Sequence, residues 1–232
     1  MFKELQISVY DIFGYLFPGA IVLLALALVF QAVFWPHDLL IVPTQLTVGV
    51  SVCFAFLAYV VGHLAQGVGN LADQLPLLKK WRKDDAGLSP EAKKLLRAAV
   101  SERFGPDAAE LKFPELVELC DQTLVHHGSV GEREIFTYRE GFYRGCFVGL
   151  ALLSLGFLLW AIRTRTSFVL GTDELKFGLM ASLALSAVCV GCAWIAYRRY
   201  TRFADHRIRS CLIRFLAFVT AQRASERSKP NG

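Results

Sequence analysis

Hydrophobic residues are concentrated in four long runs that are separated by more polar segments. The runs are Ile12–Trp35, Leu46–Val68, Phe142–Ile162 and Phe177–Tyr197. A helix needs roughly 20 mostly apolar residues to cross the hydrocarbon core of a bilayer, and each run reaches that length. The pattern therefore predicts an all-α protein with four transmembrane helices.

The segment between the second and third runs carries the start and stop signals of soluble helices. Ser89 is a typical N-cap, with a proline and a glutamate directly after it, and the glycine-proline pair at 105–106 predicts the end of that helix. A second helix is predicted over residues 114–128. A third is predicted to begin at Ser129, within a Ser-x-x-Glu capping box, and to run into the third span.

These signals divide the chain into four predicted parts. Residues 1–70 hold an interfacial helix and the first two spans, and residues 71–141 form a small helical domain. Residues 142–197 hold spans three and four, and residues 198–232 form a basic amphipathic tail.

Basic residues predict the orientation of the spans, because short loops that are rich in lysine and arginine stay in the cytosol. The link Pro36–Gln45 between the first two runs has no lysine or arginine, whereas the tail after run four has nine. The link Arg163–Lys176 opposes this pattern, since it carries three basic residues against two acidic ones. We expect both termini and the domain 71–141 to lie in the cytosol.

Composition supports a membrane protein and limits the partners of the predicted cytosolic domain. Hydrophobic residues make up 54% of the chain and charged residues 19%, against about 25% charged residues in an average soluble domain. Between Asn70 and Gly141 there are 11 basic and 13 acidic residues, which does not predict a surface for duplex nucleic acid. The lipid bilayer is the first expected partner. A cytosolic signalling partner or a nucleotide-type ligand is expected at the domain.

Four polar residues near the end of the second run form a stripe. His63, Gln66, Asn70 and Asp73 are spaced by three, four and three positions, which places them on one face of a helix. Polar side chains in a span face a bundle interior or a water-filled cavity, so the four residues are candidates for lining a pore. The alternative is that the helix is already leaving the membrane there and that the stripe only bonds neighbouring helices.

Small residues mark candidate helix contacts in the third and fourth spans. Gly145 and Gly149 are one helical turn apart, as are Ala187 and Gly191. Such patterns let two helix backbones approach closely, either within one chain or between the chains of a homo-oligomer.

The tail after Arg198 has the pattern of an amphipathic helix. Its apolar residues recur at helical spacing, as at Leu212, Phe215 and Val219, while arginines occupy other faces. A basic amphipathic helix can lie on anionic lipid. The same spacing would serve a helix that packs against copies of itself.

Residues with catalytic or metal-binding potential do not form a recognised motif. Cys189 and Cys192 have the C-x-x-C spacing of redox and metal sites, but inside an apolar helix the expected role is small-residue packing. His126 and His127 point to different sides of a helix, and no further ligands have matching spacing. The chain has no phosphate-binding glycine loop, nucleophile elbow or H-E-x-x-H sequence. We expect no enzyme activity, no cofactor and no bound metal.

The first span contains a proline and a glycine, and the chain carries three short motifs that other proteins share. Pro18 and Gly19 predict a kink or a short re-entrant turn. Asp11–Gly19 reads Asp-Ile-Phe-Gly-Tyr-Leu-Phe-Pro-Gly, Val61–Gln66 reads Val-Gly-His-Leu-Ala-Gln, and Phe142–Arg144 reads Phe-Tyr-Arg. With these motifs the chain resembles a group of bacterial four-span membrane proteins.

This resemblance implies a location and a function. Some similar proteins accompany anti-phage systems in which the membrane component, as in Hailong-type systems, forms an ion-conducting oligomer. The implied protein is an oligomeric effector of the bacterial inner membrane that forms a gated ion-conducting or membrane-perturbing pore. The alternative is a non-conducting membrane anchor or sensor that recruits a cytosolic partner.

Overall fold

The computed structural model describes residues 2–34, 47–72, 74–75, 78, 86–128, 133–163 and 179–227. The helices are α1 (Phe2–Phe34), α2 (Val48–Ala72), α3 (Pro90–Phe104), α4 (Pro106–Ala109), α5 (Phe113–His126), α6 (Arg133–Arg163) and α7 (Leu179–Arg227). Across these ranges there is no strand. The predicted all-helical class is confirmed for this part of the chain.

Four of these helices are long and apolar enough to cross a membrane. The candidate spans are Gly14–Phe34, Val48–Leu71, Ile135–Ile162 and a stretch of α7 within Leu179–Ala224. The prediction of four helices that could cross a membrane is thereby confirmed, and they suggest a multi-pass membrane protein. Helix α7 has 49 residues and is therefore about 74 Å long, more than twice the roughly 30 Å of a hydrocarbon core.

Helix α1 continues without a break through Pro18. The predicted re-entrant turn is therefore wrong, and the interfacial segment and the first span belong to one helix. Proline lacks the backbone N–H that would bond the carbonyl of Gly14, one turn earlier. Pro18 is buried and lies against Gly145 of α6, so packing between the two helices stabilises the site where that hydrogen bond is missing.

The described residues within 1–79 and 138–200 form one compact unit, which we call unit 1. Its buried face on α1 consists of Val22, Ala25, Leu28 and Ala32, which recur every three or four positions. These residues pack with Leu153 and Trp160 of α6, Cys189 of α7 and Ala65 of α2. Small side chains on α1 allow close packing, which is the main attraction between helices inside a bilayer.

The described residues within 80–137 and 201–232 form unit 2. Its core joins α3, α5 and the last part of α7, and the buried residues include Leu96, Leu116, Leu124, Leu212 and Phe215. The apolar stripe of the tail is thus covered by two helices of the same chain. The sequence interpretation had considered only lipid and other copies as occupants of that stripe.

Local signals account for the helix boundaries in unit 2. The Ser89 hydroxyl accepts a hydrogen bond from the Ala92 N–H at 3.2 Å, as expected of an N-cap. The N–H of Lys112 donates to the Glu115 carboxylate at 3.0 Å at the start of α5. Both helices were predicted from the sequence. The capping box predicted at residues 129–132 lies outside the described residues.

Candidate functional site

Helices α1 and α2 touch backbone to backbone where two glycines face the opposite helix. A Cβ atom placed on Gly62 would lie 2.7 Å from the Tyr15 carbonyl carbon and would overlap its oxygen. A Cβ atom on Gly19 would lie 2.7 Å from the carbonyl carbon of Ala58 and would likewise overlap the oxygen. Only glycine permits this approach at either position. Both glycines belong to the motifs that carry the resemblance.

Three aromatic rings cover one side of this crossing. The Tyr15 ring stacks on the His63 imidazole, with ring centres 3.5 Å apart and planes 17° apart. The Tyr59 ring meets both rings edge-on, at 5.7 Å from Tyr15 and 4.8 Å from His63. His63 is nevertheless exposed on the surface of unit 1. The imidazole is therefore fixed in orientation while one side stays open to the surroundings.

Helix α6 packs onto the same crossing through glycines spaced by four residues. A Cβ atom on Gly145 would lie 2.8 Å from the Pro18 side chain, and one on Gly149 would lie 2.9 Å from Ile21. One turn earlier, a Cβ atom on Gly141 would lie 2.8 Å from the Gln66 amide nitrogen. Gly145 and Gly149, which the sequence marked as helix contacts, thus lie against α1 of the same chain.

An arginine lies at this junction among polar partners from two helices. The Arg144 guanidinium donates a hydrogen bond to the Asn70 side-chain oxygen of α2. It lies 3.7 Å from the Glu140 carboxylate and 5.6 Å from the centre of the Tyr200 ring of α7. Gly69 leaves room for the Arg144 alkyl chain, since a Cβ atom there would lie 2.9 Å from Cδ.

The Arg144 cluster is defined as Arg144, Glu140, Asn70 and Tyr200. Glu140 and Tyr200 are buried, Arg144 is half-buried and Asn70 is exposed. The side chains of Arg144 and Glu140 are 16% and 8% exposed. The Arg144 Nε is buried and has no hydrogen-bond acceptor within the described ranges. Ionised groups inside a membrane bundle are rare and normally mark a functional site. Separating such a pair inside the bundle is strongly unfavourable, because each charge would lose its partner without gaining water.

The structure divides the stripe that the sequence predicted on α2. Gln66 is half-buried against α6, and Asn70 bonds Arg144, so both residues take part in helix packing within the chain. His63 is exposed and stacked on Tyr15. Asp73 lies outside the described residues.

The small residues of α7 have a different environment from those of α6. Ala187 and Gly191 are exposed, and a Cβ atom on Gly191 would have no neighbour within 4 Å. The neighbouring Ser186 faces inward, where its hydroxyl donates to the Ser154 carbonyl at 3.0 Å and lies 2.9 Å from the Ser154 hydroxyl. The contact of α7 with α6 in this region therefore includes a pair of bonded serines beside the buried Cys189, and Ala187 and Gly191 lie on an exposed face.

Glu140 and Tyr200 of the Arg144 cluster were missed as site residues by the sequence interpretation. Arg144 had been noted as part of the Phe-Tyr-Arg motif at residues 142–144. A usable signal was present, because Glu140 and Arg144 are four residues apart and so adjacent on one helical face. The partners Asn70 and Tyr200 are distant in sequence, and no local pattern connects them.

The titratable groups in the core of unit 2 do not form a reactive site. Burial, followed by the neighbouring Cys211 and Asp121, raises the pKa of the Cys120 thiol to about 12. Such a thiol stays protonated and unreactive at neutral pH. In the part of the chain that the structure describes, His, Cys, Asp and Glu side chains form no group of three that could hold a metal ion.

The crossing of α1, α2 and α6 together with the Arg144 cluster is the candidate functional site of this chain. It gathers the three motifs of the resemblance, represented by Pro18, Gly62 and Arg144, at one junction. No protein-family model, curated protein or solved structure matches the chain.

Proposed function

We propose that this protein is an oligomeric membrane effector whose spans open an ion-conducting leak under the control of a cytosolic helical unit. In this proposal unit 2 is cytosolic, both termini face the cytosol, and the membrane is the inner membrane of a bacterium. The resemblance of the three motifs supports a role in anti-phage defence. The observation that carries the proposal is the Arg144 cluster, in which the paired Arg144 and Glu140 side chains are largely shielded from solvent.

The Arg144 cluster suits a part of the protein that has two states. Arg144 keeps its hydrogen bond to Asn70 only while α2 and α6 remain in register, because Asn70 belongs to α2. A shift of α6 relative to α2 would carry Glu140 along with Arg144 and would replace the contact with Asn70 by contacts with water or with another subunit. Packed helices change between discrete arrangements rather than deforming gradually, so such a shift would be a switch.

Two helices offer a route from unit 2 to the cluster. Helix α6 runs from Arg133 to Arg163 and helix α7 from Leu179 to Arg227, and both contribute residues to each unit. In this proposal, an event in unit 2 that moved either helix would act on Arg144 or Tyr200, which lie further along the same helices. Among the described residues of the polar stripe, His63 is the one available to line a conducting path in the proposed oligomer, since Gln66 and Asn70 contact α6.

The test measures ion flux through liposomes that contain the purified full chain. Arg144→Gln is expected to raise the basal leak, because it removes the guanidinium group that bonds Asn70 of α2. His63→Leu is expected to reduce any leak by making the conducting path less polar. Arg139→Gln is the matched control, since Arg139 is an exposed arginine on the same helix. The number of subunits is measured in parallel by native mass spectrometry.

Two results would contradict the proposal. One is a chain that stays monomeric in lipid nanodiscs. The other is a folded oligomer in which neither the wild type nor Arg144→Gln conducts any ion. Equal changes of ion flux in Arg144→Gln and Arg139→Gln would show that the Arg144 cluster does not control the leak.

One observation favours the alternative, a non-conducting anchor or sensor that recruits a cytosolic partner. Gln66 and Asn70, half of the predicted stripe, are engaged with α6 inside the chain and do not need a pore to explain them. Under this alternative Arg144→Gln lowers the stability of the spans without changing the permeability of the liposomes. Measuring stability and flux on the same variant therefore separates the two functions.

A further inference from the structure

Unit 2 has a basic groove whose lining shares no residue with the candidate site. Its volume is about 250 Å³, and it is lined by Phe136 of α6 and by His206, Arg209, Ser210, Ile213 and Arg214 of α7. We propose that this groove binds an anionic ligand that carries a phosphate or carboxylate group.

One of the cationic side chains is already held in place by the backbone. The Arg209 Nη2 donates to the Ala86 carbonyl at 3.1 Å and lies 3.5 Å from the Gly87 carbonyl. Ala86 and Gly87 both have positive φ angles, 52° and 66°, so they form a left-handed turn beside α7. A guanidinium has five N–H donors, and a bond through one nitrogen leaves donors on the others for a ligand. Arg209 would therefore lose little conformational freedom when an anion binds.

The rest of the groove combines flat surfaces with polar hydrogens. The rings of Phe136 and His206 are nearly parallel, with planes 17° apart and centres 6.3 Å apart. Arg209, Ser210 and Arg214 supply the polar hydrogens on the same helix. Arginine and hydroxyl groups are the usual donors to phosphate and carboxylate oxygens.

The charge of the lining residues favours an anion. Two arginines and a histidine line the groove, and none of its described lining residues is acidic. Asp205 is one turn before Arg209 on α7 but is not part of the lining. The described lining residues thus include two arginines and no carboxylate.

A second groove in unit 2 shows why the first is the better anion site. It has a volume of about 220 Å³ and also contains two arginines, Arg103 and Arg223. There Arg223 is paired with the Glu102 carboxylate, and Arg103 donates to the Gln222 side chain at 2.9 Å. The Glu102 carboxylate lines the second groove, where it pairs with one of the two cations and would repel an anionic ligand.

The experiment measures the binding of pyrophosphate to the full chain in neutral detergent by isothermal titration calorimetry at constant ionic strength. Arg214→Gln and Arg209→Gln are each expected to weaken binding about tenfold, because each removes a charged hydrogen bond. Arg202→Gln is the control, since Arg202 is an exposed arginine on the same helix outside the groove, and it is expected to leave the affinity unchanged. Arg209→Gln also removes the hydrogen bond to the Ala86 carbonyl and could prevent folding. If Arg209→Gln does not fold, the affinity of Arg214→Gln alone tests the proposal.

Two results would overturn the proposal. The first is an absence of pyrophosphate binding to the wild type at millimolar concentrations. The second is an equal loss of affinity in Arg202→Gln and Arg214→Gln, which would indicate unspecific attraction to the basic helix.

The source of the anion is determined by repeating the titration in nanodiscs. Weaker pyrophosphate binding in phosphatidylglycerol than in phosphatidylcholine assigns the groove to a lipid headgroup. Equal binding in both lipids assigns it to a soluble ligand. The site stands apart from the proposed conduction, since binding is measured without flux.

Discussion

Replacing Gly62 by alanine tests the close crossing of α1 and α2. The added Cβ atom would lie 2.7 Å from the Tyr15 carbonyl carbon and 3.0 Å from its Cα, and would overlap the carbonyl oxygen. Carbon atoms normally pack about 3.5–4.0 Å apart, so the two helices would have to separate by about 1 Å. The stack of Tyr15 on His63 would loosen with them.

The expected loss of stability follows from two opposing effects. Overpacking of a well-packed contact is unfavourable by about 1–3 kcal/mol, and the overlap with a backbone atom places Gly62→Ala toward the upper end. Replacing glycine by alanine inside a helix is favourable by about 0.5–1 kcal/mol. We therefore expect Gly62→Ala to lower the free energy of unfolding by about 1–2 kcal/mol, the remainder of those two figures.

Gly67 of the same helix provides the matched control. A Cβ atom there would meet no atom within 4 Å, so Gly67→Ala keeps the gain in helix propensity without the overlap. It is expected to be stabilising by about 0.5–1 kcal/mol. Both variants are unfolded by titration with SDS in mixed micelles and followed by circular dichroism. Changes of the same sign and size in the two variants would refute the backbone contact between α1 and α2.

Three further predictions concern other parts of the chain. Ser154→Ala should lower the free energy of unfolding by about 0.5–1 kcal/mol in the same SDS titration, because it removes a hydroxyl that bonds Ser186. An unchanged free energy of unfolding would show that the hydrogen bond between Ser154 and Ser186 is not formed. In a chain with Cys120 as its sole cysteine, maleimide at pH 8 should label the thiol only after unfolding. The stability of unit 2 should also fall as the pH rises from about 9 to about 12, because the unfolded thiol ionises in this range while the folded thiol, whose pKa is raised to about 12, stays protonated. Prompt labelling of the native chain would contradict both expectations for Cys120. Single cysteines at Pro36 and Asn231 should differ in their labelling by an impermeant reagent in intact cells, and equal external labelling would refute cytosolic termini.

The spans could be predicted from the sequence because their physical requirement is local. A bilayer demands about 20 apolar residues in succession, and that demand is visible without knowing any neighbour. The start of α3 was predictable for the same reason, since the Ser89 hydroxyl bonds an N–H only three residues away. Signals of this kind lie entirely within one element.

The Arg144 cluster could not be predicted because its parts are distant in sequence. Asn70 and Arg144 are 74 residues apart, and a charge at the end of an apolar run looks like an interfacial residue until its partners are known. The occupant of the tail's apolar stripe was hidden for a related reason. Lipid, another copy and the helices α3 and α5 would all satisfy the same spacing.

The re-entrant turn expected at Pro18 was wrong because local preference was overruled by packing. Proline weakens a helix in isolation, whereas inside unit 1 a buried contact with Gly145 surrounds it. In a bilayer the helix is also favoured because a broken segment would expose backbone groups to lipid.

The shared core of α3, α5 and the end of α7 has a consequence for how the protein is made. Arg103 and Gln222, which bond beside this core, are 119 residues apart. All of α6 and most of α7 lie between them in the sequence. The apolar faces of α3 and α5 leave the ribosome long before the residues that cover them, such as Phe215 and Val219. During synthesis the apolar faces of α3 and α5 have no contact with α7 until the last helix emerges, so chaperones or contacts between α3 and α5 must shield them from water. A message that ends shortly after the fourth span would yield a chain with all its membrane segments in place and an uncovered core, which is the kind of surface that quality-control proteases recognise.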